Sequence, residues 1–509
     1  MTNLQHIVEC FKFLKIHPQL IIIFVGILLR LPLLLTPLSF GTDAWRQTDT
    51  ASIAYHFYVN GYNILYPQIF WGGNGPGYVE AEFQLYPFIV SVLYYLLGEQ
   101  YWLGKFVSLL FSVFAWLLFF PLAQRTLRDN RTATWALLFL VFSPLYLRYS
   151  VAFMPEATVM FFYIGALFFF VKWISSSNKP DLVFSSVCTA LAILVKPTSI
   201  FLGLVFALVV LNTWGGRILR RWEVWFSALI ALLPGVAWYW HARNIYLTYG
   251  NTFGLLSGGD SKFGSLELWL RPHLYYHLAY LDLKWVLGYG MVYLFFAGAI
   301  ITIKRRESRF TILGVVTIGL YYLIVSRYTH EEWGIQYHVY MLPFAALAVG
   351  LGAGWILDKY RWVGRTGILL TSTGIFFGVT LILFFRMLFS GNDGLYACAG
   401  YVRELVPADE RIVVSTTSVA FDNGIPNNYQ EPQIFFYSRR YGWSLPADWH
   451  NVEMLAEYRE DGASHFIIYD EELLYGNPSL IDYLNSNAVQ VGPGIDDGCA
   501  IYRFSLPSE

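Results

Sequence analysis

Apolar runs of roughly 20 residues, the length that crosses a bilayer as a helix, recur along this chain from residue 19 to residue 388. That repetition leaves little room for a soluble fold. With this ruler about eleven spans are expected, at 19–38, 103–123, 132–149, 155–174, 181–195, 198–214, 223–240, 285–303, 309–326, 338–357 and 366–388. The shorter run 84–97 reads as a juxtamembrane or re-entrant helix. Only 14% of the residues are charged and 56% are hydrophobic, where an average soluble domain is about one quarter charged. The net charge of −1 lacks the basic excess of a nucleic-acid-binding surface. The first run is too long for a signal-peptide core and is followed by Ser39-Phe-Gly-Thr-Asp43 rather than a cleavage site, so a retained helix is expected.

Lys and Arg mark the cytoplasmic ends of short loops. Lys12 and Lys15, Arg125 to Arg131, Lys172 and Lys179, Arg217 to Arg221, Lys304 to Arg309, and Lys359 to Arg365 all fall on one side under this span count. The N-terminus is then cytoplasmic and the C-terminus extracytoplasmic, in a multi-pass plasma-membrane protein. The outer face holds the loop 39–102, the turn before Glu156, the loop 241–284 and everything after Ser390. Beyond residue 390, β-branched runs at Ile412–Val414, Phe466–Ile468 and Ile501 alternate with helical stretches. An outer α/β domain over 391–509 is expected, after a membrane domain over 1–390. Cys398 and Cys499 stand at its two ends. A disulfide there and two buried thiols are both open readings; Cys10 and Cys188 form no C-x-x-C motif.

The outer loops carry charges that lipid does not tolerate without a reason. Asp43, Arg46 and Asp49 begin a Gly- and Pro-free stretch that reads as an interfacial helix, with Trp45, Tyr55, Phe57 and Tyr58 as belt aromatics. Asp43 is placed either to cap that helix or to face a substrate. A Gly/Pro-rich segment, 64–78, reads as an irregular loop without the Gly-Lys-Ser/Thr of a phosphate loop. Glu80 reads as a solvated acid, whereas Glu82 stands where the chain re-enters the membrane. Glu156 follows Pro155 at the start of a span, where an acid suits the helix dipole or faces a cavity. Lys196 lies between two apolar spans on the outer side and needs an anionic partner. His241 and Arg243 form a second outer basic group, and Tyr337, His338 and Tyr340 enter the tenth span from that side. Carboxylates supply a general base or hold a divalent cation; cations compensate a phosphate leaving group.

The segments Asp43-Ala-Trp-Arg-Gln-Thr-Asp-Thr-Ala and Glu82-Phe-Gln-Leu-Tyr-Pro, supported by Met154-Pro-Glu-Ala-Thr and Leu194-Val-Lys-Pro, resemble the membrane-embedded C-type glycosyltransferases (GT-C fold). Within them the chain is most similar to the bacterial relatives of protein O-mannosyltransferases and of lipid A aminoarabinose transferase, a family 39-like group. The resemblance implies a polyprenyl-phosphate sugar donor, inverting transfer to a hydroxyl of a lipid, glycan or protein acceptor, and no nucleotide at the site. It assigns Asp43 and Glu82 to catalysis and matches Glu156 and Lys196 to substrate-binding positions; the reading of the charged and aromatic residues themselves adds Arg46, Asp49, Arg243, Tyr337 and His338 to the substrate-binding set. The usual Asp-Glu pair of the first loop is Asp43-Ala44 here, so Asp49 or Glu82 stands in for the second acid. Some relatives hold a divalent metal, for which Asp43 and Glu82 are the candidate ligands. A lipid-linked-sugar flippase or a non-catalytic scaffold are the competing readings of the same charges.

Overall fold

The computed structural model describes residues 17–38, 43–255, 261–304, 309–359, 362–391, 394–422 and 424–505. Cys10, Lys12, Lys15, Arg305, Arg306 and Arg361, and residues 39–42 of the first outer loop, lie outside them. The α-helices up to residue 249 are α1 (Pro18–Arg30), α2 (Asp43–Asn60), α3 (Leu85–Leu97), α4 (Tyr101–Leu127), α5 (Asn130–Phe142), α6 (Pro144–Tyr149), α7 (Glu156–Ser176), α8 (Lys179–Val195), α9 (Leu202–Trp214) and α10 (Trp222–Tyr249).

Seven of the expected spans coincide with helices long and apolar enough to cross a bilayer singly: Pro18–Leu35, Tyr101–Leu127, Glu156–Ser176, Pro197–Arg217, Trp222–Tyr249, Glu332–Lys359 and Val363–Leu388. Val292–Lys304 and Arg309–Ile324 pass only when taken together, which makes eight candidates among the described residues. The expected span 132–149 is instead two helices. Pro144 has no N–H to continue α5, and Ser143 before it turns to an extended ψ of 131°, as a residue preceding proline must. The Ser143 hydroxyl then donates to the Val286 carbonyl at 3.0 Å. The expected span 181–195 is α8, a helix of 17 residues. The spans are not free of charge either. Arg30, fully buried, donates to the carbonyls of Gly26 and Val141, and the buried Lys105 ammonium donates to Thr36. Both groups are satisfied inside by carbonyl and hydroxyl oxygens rather than by acids.

The C-terminal part is a mixed sheet flanked by helices. Strands β1 (Val79–Glu80) and β2 (Asn251–Thr252) pair in parallel within the outer loops. Strands β3 (Arg411–Ser415), β4 (Tyr441–Leu445), β5 (Ala463–Ile468), β6 (Ala488–Gln490) and β7 (Ala500–Phe504) form one sheet of order β4-β3-β5-β7-β6. Strand β3 runs parallel to β4 and β5, and β7 runs antiparallel to β5 and β6. Cys398 and Cys499 are bonded, with Cα atoms 5.3 Å apart and 101 residues of separation. Closing a loop of that length stabilises by up to about 4–5 kcal/mol in the chain-entropy account. Replacing both cysteines by Ser is expected to lower the unfolding free energy of this part by roughly 4 kcal/mol, measured by chemical denaturation against the unreduced protein.

The Gly/Pro-rich loop is not a free surface loop but the seam between the two parts. Ile69, Phe70 and Trp71 are buried, and Gly73 N donates to Gly442 O at 2.8 Å while Gly442 N donates to Phe70 O. A Cβ on Gly73 would strike the Trp443 indole across this seam, while within the sheet a Cβ on Gly442 would sit 1.8 Å from Ile412 O of the neighbouring strand β3. The α2 helix is accordingly covered rather than lying in an interface. Trp45 Nε1 donates to the Gln430 carbonyl, Tyr441 O–H donates to His56 Nε2 at 3.0 Å, and Arg439 stacks over Tyr55. Inside this cover the Thr48, Thr50 and Ser52 hydroxyls donate back to carbonyls four residues earlier, which satisfies them without water.

Candidate active site

The outer charges converge on one cavity of about 300 Å³ whose lining includes Asp43, Arg46, Glu82, Glu156, Lys196 and Tyr337. They come from separate segments, each placed by a local rule. Asp43 opens α2 and faces the short helix that Pro144 creates. Arg148 Nε donates to Asp43 Oδ2, and the Tyr149 hydroxyl donates to Oδ1 at 3.1 Å. Both carboxylate oxygens are thus engaged across the cavity wall. Glu82 is set beside Lys196 by backbone bonds. Phe83 N donates to Leu194 O at 2.9 Å, Trp238 Nε1 donates to Ala81 O, and Tyr239 donates to Ile193 O at the end of α8. Lys196 itself is extended, with φ −152° and ψ 112°, because Pro197 follows. Its ammonium donates to Glu156 Oε1 at 2.6 Å and lies 4.6 Å from the Tyr337 ring centre.

Arg46 donates to Glu82 Oε2 at 2.7 Å and lies over the Phe253 ring. Burial pushes the Glu82 carboxyl up, but the Arg46 guanidinium opposes it, helped by a backbone bond and the charges of Lys196 and Lys262, and the net direction is down. Burial works against the Arg46 charge too; Glu82, Asp49 and Glu156 more than offset it and raise its pKa. Glu82 is therefore an ionised group at neutral pH. Glu156 Oε2 and Gln336 Oε1 are buried acceptors with no protein partner among the described residues, and both residues line the cavity. Unsatisfied acceptors of this kind suit a hydroxyl-rich ligand.

Three of the nine residues assigned to catalysis and substrate binding do not line this cavity. Asp49 is fully buried behind it, accepting from Trp71 Nε1 at 3.0 Å. Arg243 is exposed: Trp238, Tyr239, Ala242 and Ile245 are the inward face of α10, and one residue past Ala242 the helix has turned about 100°. His338 is buried between Asp282 Oδ1 and Thr329 O, at 2.7 Å from each, a bridge between segments. Glu80 is not solvated; it is wholly buried and accepts from Thr252 across β1 and β2. Sequence reasoning passed over Lys262, Phe253, Trp333, Gln336 and Asn427. Lys262 carried the same signal as Lys196, a basic residue in an outer loop; the others carried none. The pair Asp43 and Glu82 does not fit a divalent cation. Each is already held by a guanidinium, and no group of three or more His, Cys, Asp or Glu side chains arranged for a metal occurs among the described residues.

Burial raises the Asp49 carboxyl to about 7, ahead of the Trp71 hydrogen bond and the Arg46 charge, which pull it down. The folded chain then holds this proton more tightly than the unfolded one. The stability it contributes is full below about pH 4 and is lost as the pH rises through about 7. Asp49→Asn, which keeps an acceptor for Trp71, is expected to melt progressively higher than wild type as the pH is raised from 5 to 8. Parallel curves for the two proteins would contradict it.

Residues 84–240 match the family model described as dolichyl-phosphate-mannose-protein mannosyltransferase. That span holds Arg148, Glu156 and Lys196, while Asp43, Arg46 and Glu82 precede it. Among solved structures, ArnT from Cupriavidus metallidurans bound to undecaprenyl phosphate superposes with a TM-score of 0.65 at 12% identity, over 95% of this chain and 97% of that one. The chain has the GT-C fold. An oligosaccharyltransferase of Archaeoglobus fulgidus, tethered with an acceptor peptide, shares this GT-C architecture with a TM-score of 0.56 at 12% identity, over 97% of this chain and 75% of that one. No curated protein matches the sequence. Within the GT-C frame, the cavity is roofed by Ser418, Asn427 and Asn428 of the C-terminal part.

Proposed function

We infer that this protein is an inverting glycosyltransferase that moves a sugar from a polyprenyl-phosphate donor to an acceptor hydroxyl at the outer face of the plasma membrane. The observation that carries the reading is the meeting of Asp43, Glu82, Glu156, Arg46 and Lys196 in one cavity. Asp43 is the general base. It takes the acceptor proton as the acceptor oxygen attacks the anomeric carbon, and the bond from that carbon to the phosphate oxygen breaks with its electron pair leaving on the phosphate. Arg148 and Tyr149 hold the base in place, so its orientation is set before the substrate arrives. Lys196, Arg46 and Lys262 compensate the departing phosphodiester, while Glu82 and Glu156 position the cations and accept from sugar hydroxyls. ArnT was crystallised with undecaprenyl phosphate, a lipid of the class proposed as the leaving group here. In this reading the broken and short helices also cross the bilayer, which gives eleven traversals, a cytoplasmic N-terminus, and an extracytoplasmic part from about residue 391 onward.

The test is release of free polyprenyl phosphate from a radiolabelled polyprenyl-phosphate sugar by purified protein in detergent, with a cell-envelope extract as acceptor source. Time-dependent release with label passing to an acceptor is the expected result. No release from any of several donor sugars, by protein shown to be folded, would sink the transferase and favour movement of the lipid without chemistry.

A further inference from the structure

Beside the catalytic cavity lies a wider cleft of about 850 Å³, between the outer loop near 263–271, the segment 327–333 and the C-terminal part at 417–427. The two spaces share Trp333, Ser418 and Asn427, so the cleft adjoins the cavity that Asp43 lines. Resting on the transferase reading, we propose that this cleft is the acceptor subsite and that it takes a neutral oligosaccharide rather than an anionic lipid or a peptide.

The charge pattern is the first argument. Every charged side chain on the cleft wall is paired with another one there: Arg271 with Glu267, Arg327 with Asp422 at 3.2 Å, and His330 with Glu331 at 3.1 Å. The wall has no excess of positive charge to meet phosphates or carboxylates. An anionic acceptor would have to break one of these pairs and leave its acid facing a like charge.

The remaining surface is the second argument. Trp333 at the junction is 41% exposed and Phe263 is 69% exposed, and the Trp333 ring is braced edge-on against Tyr328 at 4.6 Å. An exposed ring braced like that of Trp333 suits the C–H face of a pyranose, and Phe263 adds apolar surface beside it. Thr417, Ser418, Ser265 and Asn427 supply neutral donors and acceptors around them. Sites for drug-sized ligands occupy about 300–1,000 Å³, so this cleft has room for several sugar units, with the terminal hydroxyl directed past Trp333 toward Asp43.

The experiment is saturation-transfer NMR with mannotetraose and cellotetraose on the full-length protein in detergent, without donor. Wild type is expected to give a transfer signal with at least one of the two, reduced at least tenfold in Trp333→Ala and in Val419→Trp, the second variant narrowing the cleft from its far wall. Lipid A and a Ser/Thr-rich peptide are expected not to displace the signal. Absence of signal with both sugars, displacement by lipid A or by the peptide, or a signal unchanged in both variants would each overturn the proposal. Donor release, measured separately, reports on the transferase reading. Release without oligosaccharide binding removes only the subsite, and binding without release removes the chemistry.

Discussion

Asp43→Asn is expected to lower the rate of donor turnover by about 10²- to 10⁴-fold, the usual worth of a positioned general base. The substitution keeps the shape of the side chain and an oxygen for Arg148, so its effect falls on proton transfer. The expected signature is a fall in kcat with little change in the KM for the donor, because the proposed base would act on the acceptor hydroxyl rather than on the lipid phosphate. Protein quality is followed by size-exclusion profile and melting temperature, since the buried pair with Arg148 contributes to the fold as well. Turnover at the wild-type level in Asp43→Asn would remove it as the base and move that role to Glu82.

Lys196→Met carries the second large effect, and it has two parts. Glu156 and Lys196 are almost fully buried, their side chains 3% and 6% exposed. Removing one member of such a pair costs about 3–5 kcal/mol, because the other charge is left without a counter-ion. Turnover is expected to fall together with stability. The double variant Lys196→Met/Glu156→Gln separates the two contributions. It leaves no uncompensated charge, so its melting temperature should return toward wild type, while turnover stays low because the cation facing the leaving phosphate is gone. Recovery of both in the double variant would make the pair a structural brace only.

The helical membrane part was legible in the sequence because the bilayer imposes a length, and long apolar runs such as 103–123 and 366–388 answer to nothing else. The break at Ser143-Pro144 was legible in principle, since proline ends a helix wherever it falls, but the apolar run hides it. The charged site residues stood out because lipid makes charge expensive: Asp43, Glu82, Glu156 and Lys196 were each visible alone. Their partners were not. That Arg148 faces Asp43, or that Arg46 chooses Glu82 over Asp49, depends on how α6 and the residues before α3 are folded against α2, and no spacing encodes it. Arg243 and His338 show what composition leaves out. Both have chemistry that would suit the site, yet neither lines the cavity, one being turned away by helix phase and one held in a bridge to Asp282 and Thr329. The role of the Gly/Pro-rich loop was hidden for the same reason: glycine density reads as looseness, whereas Gly73 is small so that the loop can lie against the Trp443 indole and bond the Gly442 carbonyl.

That contact bears on how such a protein can be altered by recombination. The roof of the cavity and its floor come from distant stretches of the chain, and they are registered where Gly73 meets Gly442 and the Trp443 indole, a contact that leaves no slack for a different neighbour. A chimera that grafts the C-terminal part of a distant relative onto this membrane part would inherit a mismatched seam at residues 70–73, and with it a displaced roof. Substrate preference in such a chain is therefore not portable as a cassette. The two parts have to be exchanged together with the loop that fits them, or changed by small steps that keep the seam intact.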